Sequence, residues 1–193
     1  MKLIHYQLSH SQFLLNLLEL TQEQLQHQMV QAQISNCYVK VQDGALGIAV
    51  RTFGAEIEDT VVEGLTGAQQ GVVNYQSDSP GPMRVTGGVF KGTFAGAAFY
   101  RTITGSNLWD ISETRMLHTV GAVIYQPSLF DGLANIRLNK ITFPSTLGVD
   151  PTFIYSGIVE YNDCRFANTT PCFNQPVAGN SITLILNNNQ VDS

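Results

Sequence analysis

"VEYNDCRFAN" occupies residues 159–168, and the chain phrases nearly the same thing twice before, as "IRLNKITFPS" at 136–145 and "MRVTGGVFKG" at 83–92. Each phrase alternates apolar with polar residues, breaks at a turn, and resumes with an apolar side chain. Taking the last apolar residue before the break as an anchor gives Ile34, Ile57, Val85, Leu108, Leu138, Tyr161 and Leu186, spaced by 23, 28, 23, 30, 23 and 25 residues. Two places after the anchors stand Asn36, Asp59, Gly87, Asp110, Lys140, Asp163 and Asn188. All but Lys140 are types that tolerate a left-handed backbone or bond locally to a turn. Five places after them stand Val39, Val62, Phe90, Glu113, Phe143, Phe166 and Val191, a column that Glu113 alone interrupts.

A second column repeats in the same rhythm. "GIAVR", "GVVNY", "GAAFY" and "GAVIY" begin at Gly47, Gly71, Gly96 and Gly121, and "PTFIY" and "PCFNQ" follow from Pro151 and Pro171. A period near 25 residues, made of short alternating runs punctuated by Gly, Asn and Asp, is the mark of a β-solenoid, in which each repeat buries its apolar face only against its neighbours. The phrase Φ-x-Φ-x-N-C-x-F resembles the coil of right-handed parallel β-helices such as pectate-lyase-like enzymes and phage tailspikes. The resemblance covers residues 34–193 and implies an all-β right-handed parallel β-helix of about six to seven coils. It is nearly silent on activity, because such folds carry many functions.

The bulk composition excludes several partners. Charged residues make up only 13% of the 193, and the net charge is −5, so nucleic acid is not an expected partner. No apolar run approaches the roughly 20 residues of a membrane span. The opening residues lack a signal-peptide cleavage site, and the sequon at Asn168 matters only in a secreted chain. Cys37, Cys164 and Cys172 have no metal-ligand spacing and cannot all pair within one chain, which suits a reducing cytoplasm. His5, His10, His27 and His118 are scattered. Nothing in these motifs calls for a metal or a cofactor.

Stacking the coils turns sequence columns into lines of side chains along an axis. The residues one place before and one place after each anchor then point outward. On this alignment Trp109 lies on an exposed sheet between Arg84 and Arg137, with Glu160 beside Arg137. A flat aromatic flanked by two arginines, with carboxylates and amides nearby, suits a sugar ring, so these four residues form the candidate ligand site. The plainer reading is that Glu56 with Arg84, and Arg137 with Glu160, are cross-strand ion pairs on an ordinary sheet surface. If the chain is an enzyme, Glu56 and Glu58 are the best outward carboxyl pair, since a glycosidase needs two carboxyls about 5–9.5 Å apart. The aspartate cluster of polygalacturonase-like enzymes and the calcium site of pectate lyases are both lacking.

In the second column both alternating faces are apolar, so both want cover. Tyr75, Tyr100, Tyr125 and Tyr155 form an expected ladder that suits a subunit interface, with a self-covered ladder as the alternative. Residues 11–33 carry no Gly or Pro and read as a helix with Ser11 as N-cap, which divides the chain into a helical cap or oligomerisation segment, 1–33, and the β-helix, 34–193. The run "LNNNQVDS" follows the seventh anchor with no capping element, so sister subunits, a second protein or a longer parent chain are expected to cover that end.

The resemblance therefore implies a structural or receptor-binding virion protein of tailspike or capsid-decoration type, assembled in the host cytoplasm. The trimer, the other virion proteins and the cell-surface polysaccharide expected as partners follow from that likeness. The alternatives are a small carbohydrate-active enzyme of the pectate-lyase-like class and a secreted adhesin.

Overall fold

The chain winds in the order the repeat predicts. In the computed structural model, residues 32–50, 54–74, 82–101, 108–126, 133–143, 152–154, 156–166 and 181–192 are described. The first turn runs through β1 (Ala32–Ser35), β2 (Tyr38–Val41) and β3 (Leu46–Val50), and the second through β4 (Ala55–Glu58), β5 (Val61–Gly64) and β6 (Gln70–Asn74). In the third and fourth, two of the three strands merge: β7 (Met83–Thr86) is followed by the long β8 (Val89–Arg101), and β9 (Leu108–Ser112) by β10 (Arg115–Tyr125). Then come β11 (Ala134–Asn139), β12 (Thr142–Phe143), β13 (Thr152–Phe153), β14 (Gly157–Asn162), β15 (Arg165–Phe166), β16 (Ile182–Asn187) and β17 (Gln190–Val191).

Every strand pairing among the described residues is parallel. The first face is the sheet β1-β4-β7-β9-β11-β14-β16, and the second runs β2-β5-β8-β10-β12-β15-β17. On the third face β3 and β6 stack against the C-terminal halves of β8 and β10, with β13 beyond. The result is an all-β parallel solenoid of about four turns. No helix occurs among the described residues. The helix expected over 11–33 lies outside them except for Ala32 and Gln33, which already belong to β1.

The core is built from the inward columns. Ala55, Met83, Trp109, Ile136 and Val159 stand in register, as do Ile57, Val85, Ile111, Leu138 and Tyr161, and none of the ten is more than 1% exposed. The ladder is aromatic toward the second face. Phe143 stacks on Phe166 with ring centres 4.6 Å apart and planes 5° from parallel, while Phe90 meets Phe99 at 4.5 Å.

One anchor must be corrected. Leu108 does not stack on Val85; Ile111 does, and Trp109 stacks on Met83. The turn residue of this coil is then Glu113, not Asp110, and Met116, 1% exposed, fills the apolar column that Glu113 had seemed to break. The physical cause is visible in the backbone. Asn36, Asp59, Glu113, Lys140, Asp163 and Asn188 all adopt φ between 44° and 53°, and Gly87 takes φ 68°. In all of these turns but that of Asn188 the left-handed residue donates its N–H to the rung above, as from Asp59 to Thr86 O at 3.0 Å and from Glu113 to Asn139 O at 2.9 Å. Stacking thus holds even Glu and Lys in a conformation that their intrinsic preference disfavours. Lys140→Gly is accordingly expected to raise the melting temperature, by about 2–4 °C, because relief of the left-handed strain outweighs the flexibility glycine adds to the unfolded chain. A differential scanning measurement against wild type checks it, with Asn188→Gly expected to change far less.

The next residue in each turn explains the recurring cysteine. Cys37 Sγ, Thr60 Oγ1, Thr114 Oγ1 and Cys164 Sγ each donate to the carbonyl two residues earlier, at 3.3, 2.9, 3.0 and 3.5 Å. A small side chain with a donor hydrogen suffices there, and a thiol serves as a hydroxyl does. Cys37 and Cys164 are free, and five strand spacings, or about 24 Å, separate their rungs. Burial raises the pKa of the Cys164 thiol above its ordinary value, so the thiol is less acidic than a free cysteine. Cys172 lies outside the described residues.

Candidate functional site

The outward side of the first face carries two polar columns, and the corrected register changes what they contain. Trp109 is fully buried, its ring edge-on to Phe99 at 6.4 Å and 84°. It therefore does not lie between Arg84 and Arg137. Asp110 does, paired in register with both. The column reads Glu56, Arg84, Asp110, Arg137, Glu160, so negative and positive charges alternate from rung to rung. Three of the four successive pairs close as ion pairs: Arg84 Nη1 to Glu56 Oε1 and Arg137 Nη1 to Asp110 Oδ2 at 3.9 Å each, and Arg137 Nε to Glu160 Oε2 at 2.9 Å.

The adjoining column is uncharged above Glu58. Thr86 and Ser112 share a hydrogen bond of 3.3 Å, and three amides continue the line. Asn139 Nδ2 donates to Asp110 Oδ1 at 2.8 Å, Asn162 Nδ2 to Asn139 Oδ1 at 2.8 Å, and Asn187 Nδ2 to Asn162 Oδ1 at 2.7 Å. Amides one strand spacing apart can each donate to the one before and accept from the one after, so the ladder leaves no internal member unsatisfied. Asn162 also bonds Glu160 Oε1 at 3.1 Å, which ties the two columns together.

The electrostatics follow from these contacts. Hydrogen bonds from Arg137 and then Asn162 hold the Glu160 carboxyl below the ordinary carboxylate range, and the bond to Glu160 raises the Arg137 guanidinium. Because the Glu160 value is lowered by folding, its stabilising effect is complete above the unfolded value near 4.5 and is lost as pH falls through the folded one. Glu160→Gln is expected to flatten the acid limb: between about pH 5 and pH 3 its urea midpoint should fall less than that of wild type. Both side chains of the pair are partly exposed, so the difference at neutral pH should stay within about 1 kcal/mol.

Of the two glutamates singled out as an acid pair, Glu56 and Glu58 both lie on β4 with the same outward direction, about 7 Å apart along the strand. Glu56 is engaged by Arg84, whereas Glu58 is exposed and stands level with Ser35 and Thr86. No group of three His, Cys, Asp or Glu side chains that could hold a metal occurs among the described residues.

The tyrosine ladder is shorter than its sequence spacing suggests. Tyr100 and Tyr125 are register partners with ring centres 5.6 Å apart, both half-buried. The strand before them places Val73, not Tyr75, beside Tyr100, and the strand after places Phe153, not Tyr155, beside Tyr125. Tyr75 and Tyr155 themselves lie outside the described residues. Val73, Ala98 and Val123 have no exposure, so much of the third face is already covered within one chain.

Sequence reasoning placed Asp110 in a turn and so missed the residue that links the charge column to the amide column. The signal that could have found it is its alternation with Arg84 and Arg137, which is plain once Ile111 is the anchor. Comparison of the chain with protein-family models, with curated proteins and with solved structures finds no match.

Proposed function

We propose that the chain is a structural or receptor-binding protein of a virion, of the tailspike or capsid-decoration kind, acting as a homotrimer. The observation that carries this reading is the outer face of the first sheet. Its arginines and most of its carboxylates neutralise one another rung by rung, an arrangement that stiffens a rod rather than one that holds a reactive acid or base ready. The seven-stranded first face supports a right-handed coil that continues to six or seven turns beyond an N-terminal helix, since parallel crossovers are almost always right-handed. The half-buried Tyr100 and Tyr125 would supply the contact with sister chains. Arg84, with 53% of its side chain exposed, and Arg137 would offer hydrogen-bond donors to a surface polysaccharide along the same face. The test is the molar mass in solution by light scattering on a size-exclusion column. A mass of three chains, lost in a Tyr100→Lys/Tyr125→Lys variant, supports the trimer; a monomer of 21.1 kDa at all concentrations removes it.

The second reading is a small carbohydrate-active enzyme. What favours it is Glu58, an exposed carboxylate that makes no ion pair among the described residues, beside Glu56 on the same strand. An oligosaccharide panel with a product assay, run on wild type and Glu58→Gln, decides it. Product formed by wild type and lost in the variant would establish the enzyme, and no product from any substrate would end that reading.

A further inference from the structure

The first and second faces differ in what they turn outward. On the first, the outward columns are charges, hydroxyls and amides that satisfy one another along most of their length. On the second, the outward side of β5 and β8 opens with Val61 and Val89, half-buried register partners whose neighbours Val62 and Phe90 fill the core. Leu117 on β10, 48% exposed, stands level with Lys91 of β8, and Tyr38 on β2, 55% exposed, stands level with Val61. All-parallel sheets occur almost only with both sides covered, so an apolar outward column wants a second layer. Residues 54–74, 82–101 and 108–126 carry β5, β8 and β10 together with the chain on either side of each. This middle part of the face is therefore bounded by described residues and not by an end of the solenoid.

The charges on the patch have a fixed arrangement. Glu63 and Lys91 are register partners, with Lys91 Nζ 3.4 Å from Glu63 Oε2. The Tyr38 hydroxyl donates to Glu63 Oε2, and Lys91 Nζ lies 5.5 Å from the centre of the Tyr38 ring. The ring thus leans from β2 across β5 toward β8, and it holds both charges in place. A negative and a positive group one strand spacing apart, beside two valines, form a pattern that is its own complement when turned end for end. Rotation by half a turn about a line along the strands, midway between β5 and β8, lays β5 of one copy over β8 of a second. Val61 then meets Val89 of the second copy and Glu63 meets its Lys91, each contact made twice, so the four charges alternate in sign around the axis. In the same rotation β2 falls over β10, where the methylene stem of Lys40 can cover Leu117 while its ammonium stays in water.

We infer that the solenoid forms an isologous dimer through its second face, so that the layer over Val61 and Val89 is the same patch of a second copy. Four rungs overlap, about 14 Å along the axis by about 13 Å along the strands. That is well under the roughly 800 Å² per partner of a standard interface, so the dimer is weak. Because Tyr38 orders Glu63 and Lys91 before contact, less freedom is lost on forming it. The contact closes at two copies. It does not rest on the third-face contact through Tyr100 and Tyr125, and a trimer built there does not produce it.

Sedimentation velocity and light scattering on the full chain, from about 10 μM to about 1 mM, test it. The series is made in the Tyr100→Lys/Tyr125→Lys background, where the third-face contact is broken and the second face is untouched, so that a failed trimer and a failed dimer read out separately. A parallel series in the wild-type chain serves if that background does not fold. The mass is expected to rise toward twice its dilute value. Glu63→Lys sets an introduced ammonium against Lys91 of the second copy, and Lys91→Glu sets an introduced carboxylate against its Glu63, in each case twice. Each variant alone, with its fold verified by circular dichroism, is expected to weaken association at least tenfold and so to remove the rise. An equimolar mixture should restore the rise, since a mixed pair brings two ammoniums against two carboxylates at the same axis. A mass that stays constant up to the highest concentration overturns the inference. So does growth past a doubling, growth that either charge variant leaves intact, or a mixture that fails to restore association.

Discussion

Trp109→Ala will destabilise the fold by about 3–5 kcal/mol, read as a lower midpoint in urea with little change in slope. The indole is fully buried between Met83 and Ile136 in one column and meets Phe99 edge to face, so removing it opens a cavity that the stacked rungs cannot close without giving up their hydrogen bonds. Trp109→Phe should cost much less. It keeps most of the ring, and it removes an indole N–H that has no hydrogen-bond partner among the described residues. Arg84→Ala, on the outward side of the neighbouring strand, should stay within about 0.5 kcal/mol. If the tryptophan lay on the surface between two arginines, the order would invert, with Trp109→Ala nearly neutral for stability.

Gly92→Ala is the second large effect, expected at about 3–5 kcal/mol from left-handed strain combined with overpacking. Gly92 sits where β8 leaves the second face for the third, at φ 86°. A Cβ there would lie 2.0 Å from the carbonyl oxygen of Gly64 and 3.0 Å from its carbonyl carbon. Both obstacles are backbone of the rung below, so no side chain can swing aside, and relief would require the rung spacing itself to open. The substitution should therefore also speed amide exchange in β5 and β8 together, because their pairing runs from Val61↔Val89 to Gly64↔Gly92. Gly44→Ala makes the useful contrast. Its φ is also positive, at 67°, but nothing lies within 4 Å of the added carbon, so strain acts there without a clash and the cost should be about 1–2 kcal/mol.

The parallel solenoid was legible because its signal is repeated. Each of Ile57, Val85, Leu138 and Tyr161 says little alone, but their spacing, with apolar partners two residues before and five after, leaves few other folds. Two things were not legible, for different reasons. The fourth coil reads three residues out of place in the sequence because Asp110 looks like a turn residue and Glu113 does not. The stacked turn nevertheless imposes a left-handed backbone on Glu113, with its carboxylate 2.7 Å from Lys140 Nζ on the next rung. Context overrode residue preference there, and the placement of the candidate ligand site moved with it. The third face reads two residues out of place, since Gly71 stands level with Ala98 rather than Gly96. The register of β10 on β8 shifts twice between His118 and Ala122, and such a bulge resets the alignment without leaving a mark in composition. That bulge leaves Tyr125 level with Tyr100, as the sequence spacing has it; the ladder shortens instead at the steps to β6 and β13, where Val73 and Phe153 stand level with Tyr100 and Tyr125.

The register of the fourth coil decides the outward charge column, and the chain reports on it directly because Trp109 is its single tryptophan. The fluorescence of the native protein, with quenching by acrylamide, is the measurement. A buried Trp109 will give blue-shifted emission that acrylamide barely quenches, moving to the red and becoming fully quenchable on unfolding in urea. Red-shifted, freely quenched emission from the native state would put Trp109 on the surface. Leu108 would then regain the anchor position, and the ladder of Glu56, Arg84, Asp110, Arg137 and Glu160 would not exist.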